Sequence, residues 1–219
     1  MIAAVAATET ASAIILAAEA GADTELNWVT GVILPVAAVI ALVLVNGLFV
    51  AAEFALVGSR RSRFIAMADG GNRAARWLLR VFDQPAGKDS YIAVAQLGIT
   101  LASIGLGMYG EPAIASWLYE PLENWGLSNG ASHTVGFLIA LSVITFLHVV
   151  LGEMIPKALA LQAPEQTSIS VNPLMRTFAF IFRPAVALLN WVAFGLMRLL
   201  RIPEPDKTVS LYSLSLIHI

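Results

Sequence analysis

Three long stretches of the sequence carry no charged side chain: residues 26–52, 90–110 and 124–152, which are 27, 21 and 29 residues long. A helix needs about 20 apolar residues to cross roughly 30 Å of hydrocarbon, so each stretch is long enough to span a bilayer. A fourth apolar region, residues 174–201, is interrupted by Arg176, Arg183 and Arg198, and its longest uncharged run, 184–197, falls short of a span. The chain is 58% hydrophobic and 13% charged, against about 25% charge in a soluble domain, so it has too few ionic groups to cover a water-facing surface. That balance excludes a soluble enzyme and a disordered tail, and a net charge of −2 gives nucleic acid nothing to hold. The absence of cysteine excludes disulfide scaffolds, thiolate metal sites and cysteine nucleophiles. The expected fold class is an all-α membrane protein with three transmembrane helices plus a cytoplasmic-side juxtamembrane amphipathic helix.

The basic residues orient the expected spans. There are none before residue 60, seven in 60–88, none in 89–156 and six from 157 onward. Cytoplasmic loops hold the excess of Lys and Arg. All 13 fall on one side if the N-terminus is outside and the C-terminus cytoplasmic, which makes the chain a multi-pass protein of the inner (plasma) membrane. Residues 1–25, Ala-rich and acidic, read as a short external arm, residues 26–205 as the membrane domain and residues 206–219 as a tail.

Two segments read as surface helices. In residues 73–82, Arg73, Arg76 and Arg80 share one face and Ala74, Trp77, Leu78 and Val81 the other, which suits a helix lying in the interface. In the fourth region Arg176, Arg183 and Asn190 recur every seven residues, Asn172-Pro173 is expected to start the helix and Arg183-Pro184 to kink it. It reads as an amphipathic anchor or as a belt around the base of the bundle.

The chemistry lies in polar groups inside the spans. Glu53 and Glu153 need a partner or a purpose, since an ionised carboxylate near the bilayer centre costs about 2.5–3.5 kcal/mol by insertion scales. Glu53 has a candidate partner in Arg60, and Glu153 one in Lys157. Glu153 lies beside a break: Pro156 has no N–H to give the Gly152 carbonyl, and its ring pushes that carbonyl aside. A free carbonyl oxygen next to a carboxylate is half of a shell for a hard cation. In the second span Gln96, Thr100, Ser103 and Gly107 fall on one face, with Gly98 and Ala102 as a small-xxx-small pair. In the first span Asn46 and Glu53 share a face through Val50 beside Gly47. Each of these spans is expected to turn its oxygen-bearing face inward. Interhelical glue is the alternative reading of the same hydroxyls. The donors are all oxygens, which selects Mg²⁺, Ca²⁺ or Na⁺ over zinc or copper. His148 stands five residues before Glu153, which is not the spacing of a zinc protease, and reads as a bundle-facing polar residue.

Three runs then carry a resemblance: Asn46-Gly47-Leu48-Phe49-Val50-Ala51-Ala52-Glu53; Gln96-Leu97-Gly98-Ile99-Thr100-Leu101-Ala102-Ser103 with Gly110-Glu111-Pro112-Ala113; and Gly152-Glu153-Met154-Ile155-Pro156-Lys157. In that order, over about residues 30–205, they resemble the transmembrane domain of the CNNM/CorC magnesium transporter family. The resemblance implies a homodimer in the lipid bilayer with a dehydrated Mg²⁺ held among the helices of each subunit. It implies a ligand set of Asn46, Thr100, Ser103, Gly152 and Glu153; some relatives carry Ser or Asn where Val50 or Ile99 stands here. Cytosolic CBS modules usually follow in that family, and residues 208–219 show neither charge nor periodicity, so the tail is expected to be cut short before them. The functional expectation is transport of Mg²⁺, with Na⁺ as a candidate coupling ion, and no enzymatic activity. The rival is a membrane anchoring and dimerisation module that regulates another ion transporter.

Overall fold

A computed structural model describes residues 28–84 and 86–200. The expected external arm and tail lie outside the described residues. All regular structure among the described residues is helical: α1 (Leu34–Gly58), α2 (Arg61–Asp69), α3 (Arg73–Asp83), α4 (Gly87–Gly105), α5 (Glu111–Asn124), α6 (Asn129–Val149), α7 (Ile155–Gln162) and α8 (Pro164–Leu199). Wider π turns at Val29–Ile33, Leu106–Gly110 and Val150–Met154 lead into α1, α5 and α7.

Each π turn is followed two residues later by a proline: Pro35, Pro112 and Pro156. A proline in a continuing helix lacks the N–H owed to the carbonyl four residues back, and local widening accommodates the lost bond. The chain therefore continues through positions where the sequence reading ended its second and third spans. Residues Val29–Gly58, Gly87–Asn124, Asn129–Gln162 and Pro164–Leu199 are each long and apolar enough to cross a membrane. That makes four candidates, against the three expected.

The described residues divide into two compact units. The first comprises residues 28–44 and 102–149. In it α5 and α6 form an antiparallel hairpin whose turn contains Gly126 at φ +91°, with Gly126 N–H bonded to the Glu123 carbonyl and Leu127 N–H to that of Leu122. Glycine adopts that left-handed conformation without a side-chain penalty. Gly136 admits the Tyr119 ring, which lies 3.0 Å from where a Cβ would be. Tyr119 also stacks on His133 at 3.9 Å between centroids. Val39, Val43, Leu106 and Ile144 form the core of this unit.

The second unit comprises residues 45–101 and 150–200. Asn72 caps α3 by accepting from the N–H groups of Ala74 and Ala75. Ala75, Leu78 and Val81 point into a core with Phe49, Leu56, Phe64, Tyr91, Met175 and Val186. The apolar face of α3, expected to lie on lipid, is thus covered by the protein's own helices. α8 begins at Pro164, nine residues before the expected start at Asn172-Pro173, because Pro164 occupies the first-turn position that needs no N–H donor. It runs on through Pro173 and Pro184, held by packing of Met175, Phe178 and Phe182 against the same core.

Candidate functional site

The break before α7 meets α1 at Asn46. Asn46 is 1% exposed, and its Nδ2 donates to the Gly152 carbonyl at 2.9 Å. That is the carbonyl that Pro156 leaves without a helical donor, so a side chain 106 residues away takes the place of the missing N–H. Asn46 lies twelve residues from the Gly58 end of α1, about 18 Å at 1.5 Å per residue, so the contact falls deep within the candidate span. Gly47 makes the approach possible: a Cβ there would stand 2.8 Å from Pro156 Cγ and 3.3 Å from the Leu151 carbonyl oxygen. Close packing continues on the α4 side, where a Cβ on Gly98 would stand 2.5 Å from the Phe49 ring.

Glu153 follows directly on the captured carbonyl and is exposed. It forms no ion pair with Lys157, whose ammonium lies over the Phe54 ring at 4.4 Å from the centroid. Glu53 forms no ion pair with Arg60 either. Its carboxylate accepts from Gln96 Nε2 at 3.3 Å, and the Arg60 backbone N–H donates to Glu165. Two acidic side chains of the candidate spans are therefore left without a cationic partner among the described residues. No three His, Cys, Asp or Glu side chains gather among those residues. A cation at the α7 break would rest on one carboxylate with neutral amide, hydroxyl and carbonyl oxygens, a donor set suited to a hard ion.

The family model for the cyclin M transmembrane N-terminal domain matches residues 37–217. The chain belongs to the CNNM family. Among curated relatives, the UPF0053 protein YhdT of Bacillus subtilis is 42% identical to the CNNM chain over 159 residues, 73% of this chain and 33% of the relative. The B. subtilis UPF0053 protein YhdP is 39% identical over 153 residues, 69% and 34% of the two chains. The uncharacterized protein MT1889 of Mycobacterium tuberculosis is 37% identical over 174 residues, 78% and 48%. The chain thus spans between a third and a half of the length of these relatives.

Within the CNNM chain the five expected ligands have different surroundings. Asn46 and Gly152 are joined, with Glu153 adjacent. Thr100 is exposed and its hydroxyl donates back to the Gln96 carbonyl at 2.8 Å. Gln96 is exposed as well, while Ala95 and Gly98 are buried. Of the oxygen-bearing face of α4, Gln96 and Thr100 are thus exposed in the single chain, while Gly98 beside them packs closely on Phe49. Ser103 belongs to the first unit, where its Oγ lies 3.2 Å from His148 Nε2. Sequence reasoning missed the Gln96–Glu53 and Ser103–His148 pairs. The signal for the first was a polar side chain facing a carboxylate in the neighbouring span, which became legible only with the pairing of the helices known.

Proposed function

We propose that this CNNM domain carries Mg²⁺ across the inner (plasma) membrane, with the ion taken up at the α7 break. The observation that carries the reading is the Gly152 carbonyl, freed by Pro156 and caught by Asn46 beside the unpaired Glu153. Mg²⁺ surrenders its water only to near-octahedral oxygens at about 2.0–2.1 Å, so it needs a carboxylate with several fixed neutral donors. In the second unit Glu153 supplies the charge, and the Gly152 carbonyl and Asn46 supply neutral oxygens, the amide turning over to present Oδ1 as the ion displaces its hydrogen bond. Thr100 is the further donor on α4. Na⁺ suits the same oxygens and is the candidate coupling ion.

The proposed topology places three spans in the bilayer, with the N-terminus outside, the C-terminus cytoplasmic and α8 as a belt at the cytoplasmic face. Two contacts support the belt. Arg176 lies over Trp77 of α3 at 5.9 Å, and Phe178 packs edge-on to Phe49 at 4.8 Å. α8 is thus tied through Arg176 to the segment that connects the first two spans, the segment richest in Arg, and through Phe178 to α1. A homodimer fits the exposure of Gln96, Thr100 and Glu153, since a second copy would shield polar groups that are costly against lipid.

Glu153→Gln keeps the shape and removes the charge. Mg²⁺ uptake into liposomes should be lost in this variant, and undiminished uptake would take Glu153 out of the mechanism. One observation favours the rival anchoring module: Asn46 and Ser103 both have partners on another helical segment, as interhelical glue would. Calorimetric titration separates the two, because an anchor shows no saturable Mg²⁺ binding.

A further inference from the structure

A cleft of about 450 Å³ opens between α3, the first turns of α4 and the middle of α8. Its walls combine two kinds of group. Val94 and Val186 are apolar and buried, and Trp77 and Tyr91 lie beside them with 6.2 Å between ring centroids. Gln84, Ser90, Arg183 and Asn190 supply hydrogen-bond donors. Arg183 is the one formally charged side chain among the lining residues, and Ser90 belongs to the first turn of α4, the positive end of that helix's dipole. Tyr91 is 3% exposed and its hydroxyl has no hydrogen-bond partner in the protein.

These features select a ligand class. A neutral apolar molecule would make no use of Arg183 and the exposed polar rim, and a free inorganic anion would leave the apolar wall unused. An anionic amphiphile uses both, and the volume lies within the roughly 300–1,000 Å³ of small-molecule sites. We propose that this cleft holds the phosphate head group of an anionic phospholipid against Arg183, with the start of an acyl chain laid on Val94 and Val186. The proposal rests on the interfacial placement of α8 and is independent of the ion site.

The test uses the full chain in phosphatidylcholine nanodiscs containing a minor share of phosphatidylglycerol brominated near the acyl carbonyl. Trp77 emission is read as the difference from Trp77→Phe. The anionic lipid should quench Trp77 more strongly than equally brominated phosphatidylcholine. That preference should fall about fivefold in Arg183→Gln, as loss of one basic residue at an anionic surface predicts, and persist in Arg183→Lys and in Arg73→Gln, which lies outside the cleft. Equal quenching by the two lipids, or a preference that survives Arg183→Gln, overturns the lipid site while leaving the placement of α8 intact. Displacement of the effect by inorganic phosphate alone overturns it in favour of a soluble phosphate ligand. Stronger quenching by chains brominated near their methyl ends would put Trp77 deep in hydrocarbon and overturn the placement, and the lipid site with it.

Discussion

Pro35 and Pro156 pose the same problem to the backbone and are answered in the same way. Each withholds a hydrogen bond from a glycine carbonyl four residues earlier, and each carbonyl is satisfied by a distant side chain: Gly31 by Trp117 Nε1 at 3.0 Å, Gly152 by Asn46 Nδ2 at 2.9 Å. At Gly152 the arrangement depends on Gly47, whose missing Cβ leaves room for the Pro156 ring. Gly47→Ala should therefore destabilise the protein by about 1–3 kcal/mol, the usual range for overpacking, and lower the unfolding temperature in detergent by several degrees. Pro156→Ala removes the Cγ that the new methyl would meet, so the double variant should lose less than the sum of the single losses. Strict additivity would mean that the two residues do not share the contact. The release of the Gly152 carbonyl was legible in the sequence because it follows from a proline at a fixed local offset. The identity of its captor was not, since a partner 106 residues away depends on how closely two helices approach.

At the scale of elements, α3 and α8 show what periodicity can and cannot reveal. The spacing of Arg73, Arg76 and Arg80 separated the polar face of α3 correctly, but said nothing of what covers the other face, which is Phe64, Tyr91, Met175 and Val186 rather than lipid. The start of α8 was misplaced because Asn172-Pro173 has the form of a helix entry, while Asn172 is buried inside the helix and its Nδ2 lacks a partner. α2 and α3 are joined by Arg61 Nε and Asp83 Oδ1 at 2.7 Å, on side chains about half exposed. The hydrogen bond to Asp83 raises the guanidinium further above its ordinary value, and the same bond from Arg61 lowers the Asp83 carboxyl below its ordinary 3.8. A lowered carboxyl contributes stability that is fully present above its unfolded value and fades as pH falls through the folded one, so the pair is intact at neutral pH and lost only in strong acid. Water and salt screen it in any case. Asp83→Asn should leave the neutral-pH unfolding temperature unchanged within error at physiological salt. A drop of several degrees would mean that the pair anchors the α2–α3 hairpin more firmly than its exposure allows.

For the molecule as a whole, the open choice is the path of α8, which has the length and composition of a span yet carries Arg176, Arg183 and Arg198. A span would bring at least one guanidinium toward the bilayer centre, at about 2.5–3.5 kcal/mol by insertion scales. Met175, Phe178 and Val186 of α8 also share one apolar core with Phe64 of α2 and Leu78 of α3. Absence of cysteine makes the choice easy to test, since each introduced thiol is the sole target of a membrane-impermeant maleimide. Arg73→Cys should label only from the cytoplasmic face, and Ser128→Cys, in the turn between α5 and α6, only from outside. Leu199→Cys, at the exposed end of α8, should label with Arg73→Cys if the helix is a belt. Labelling with Ser128→Cys would make α8 a fourth span and move Arg176 and Arg183 into the membrane.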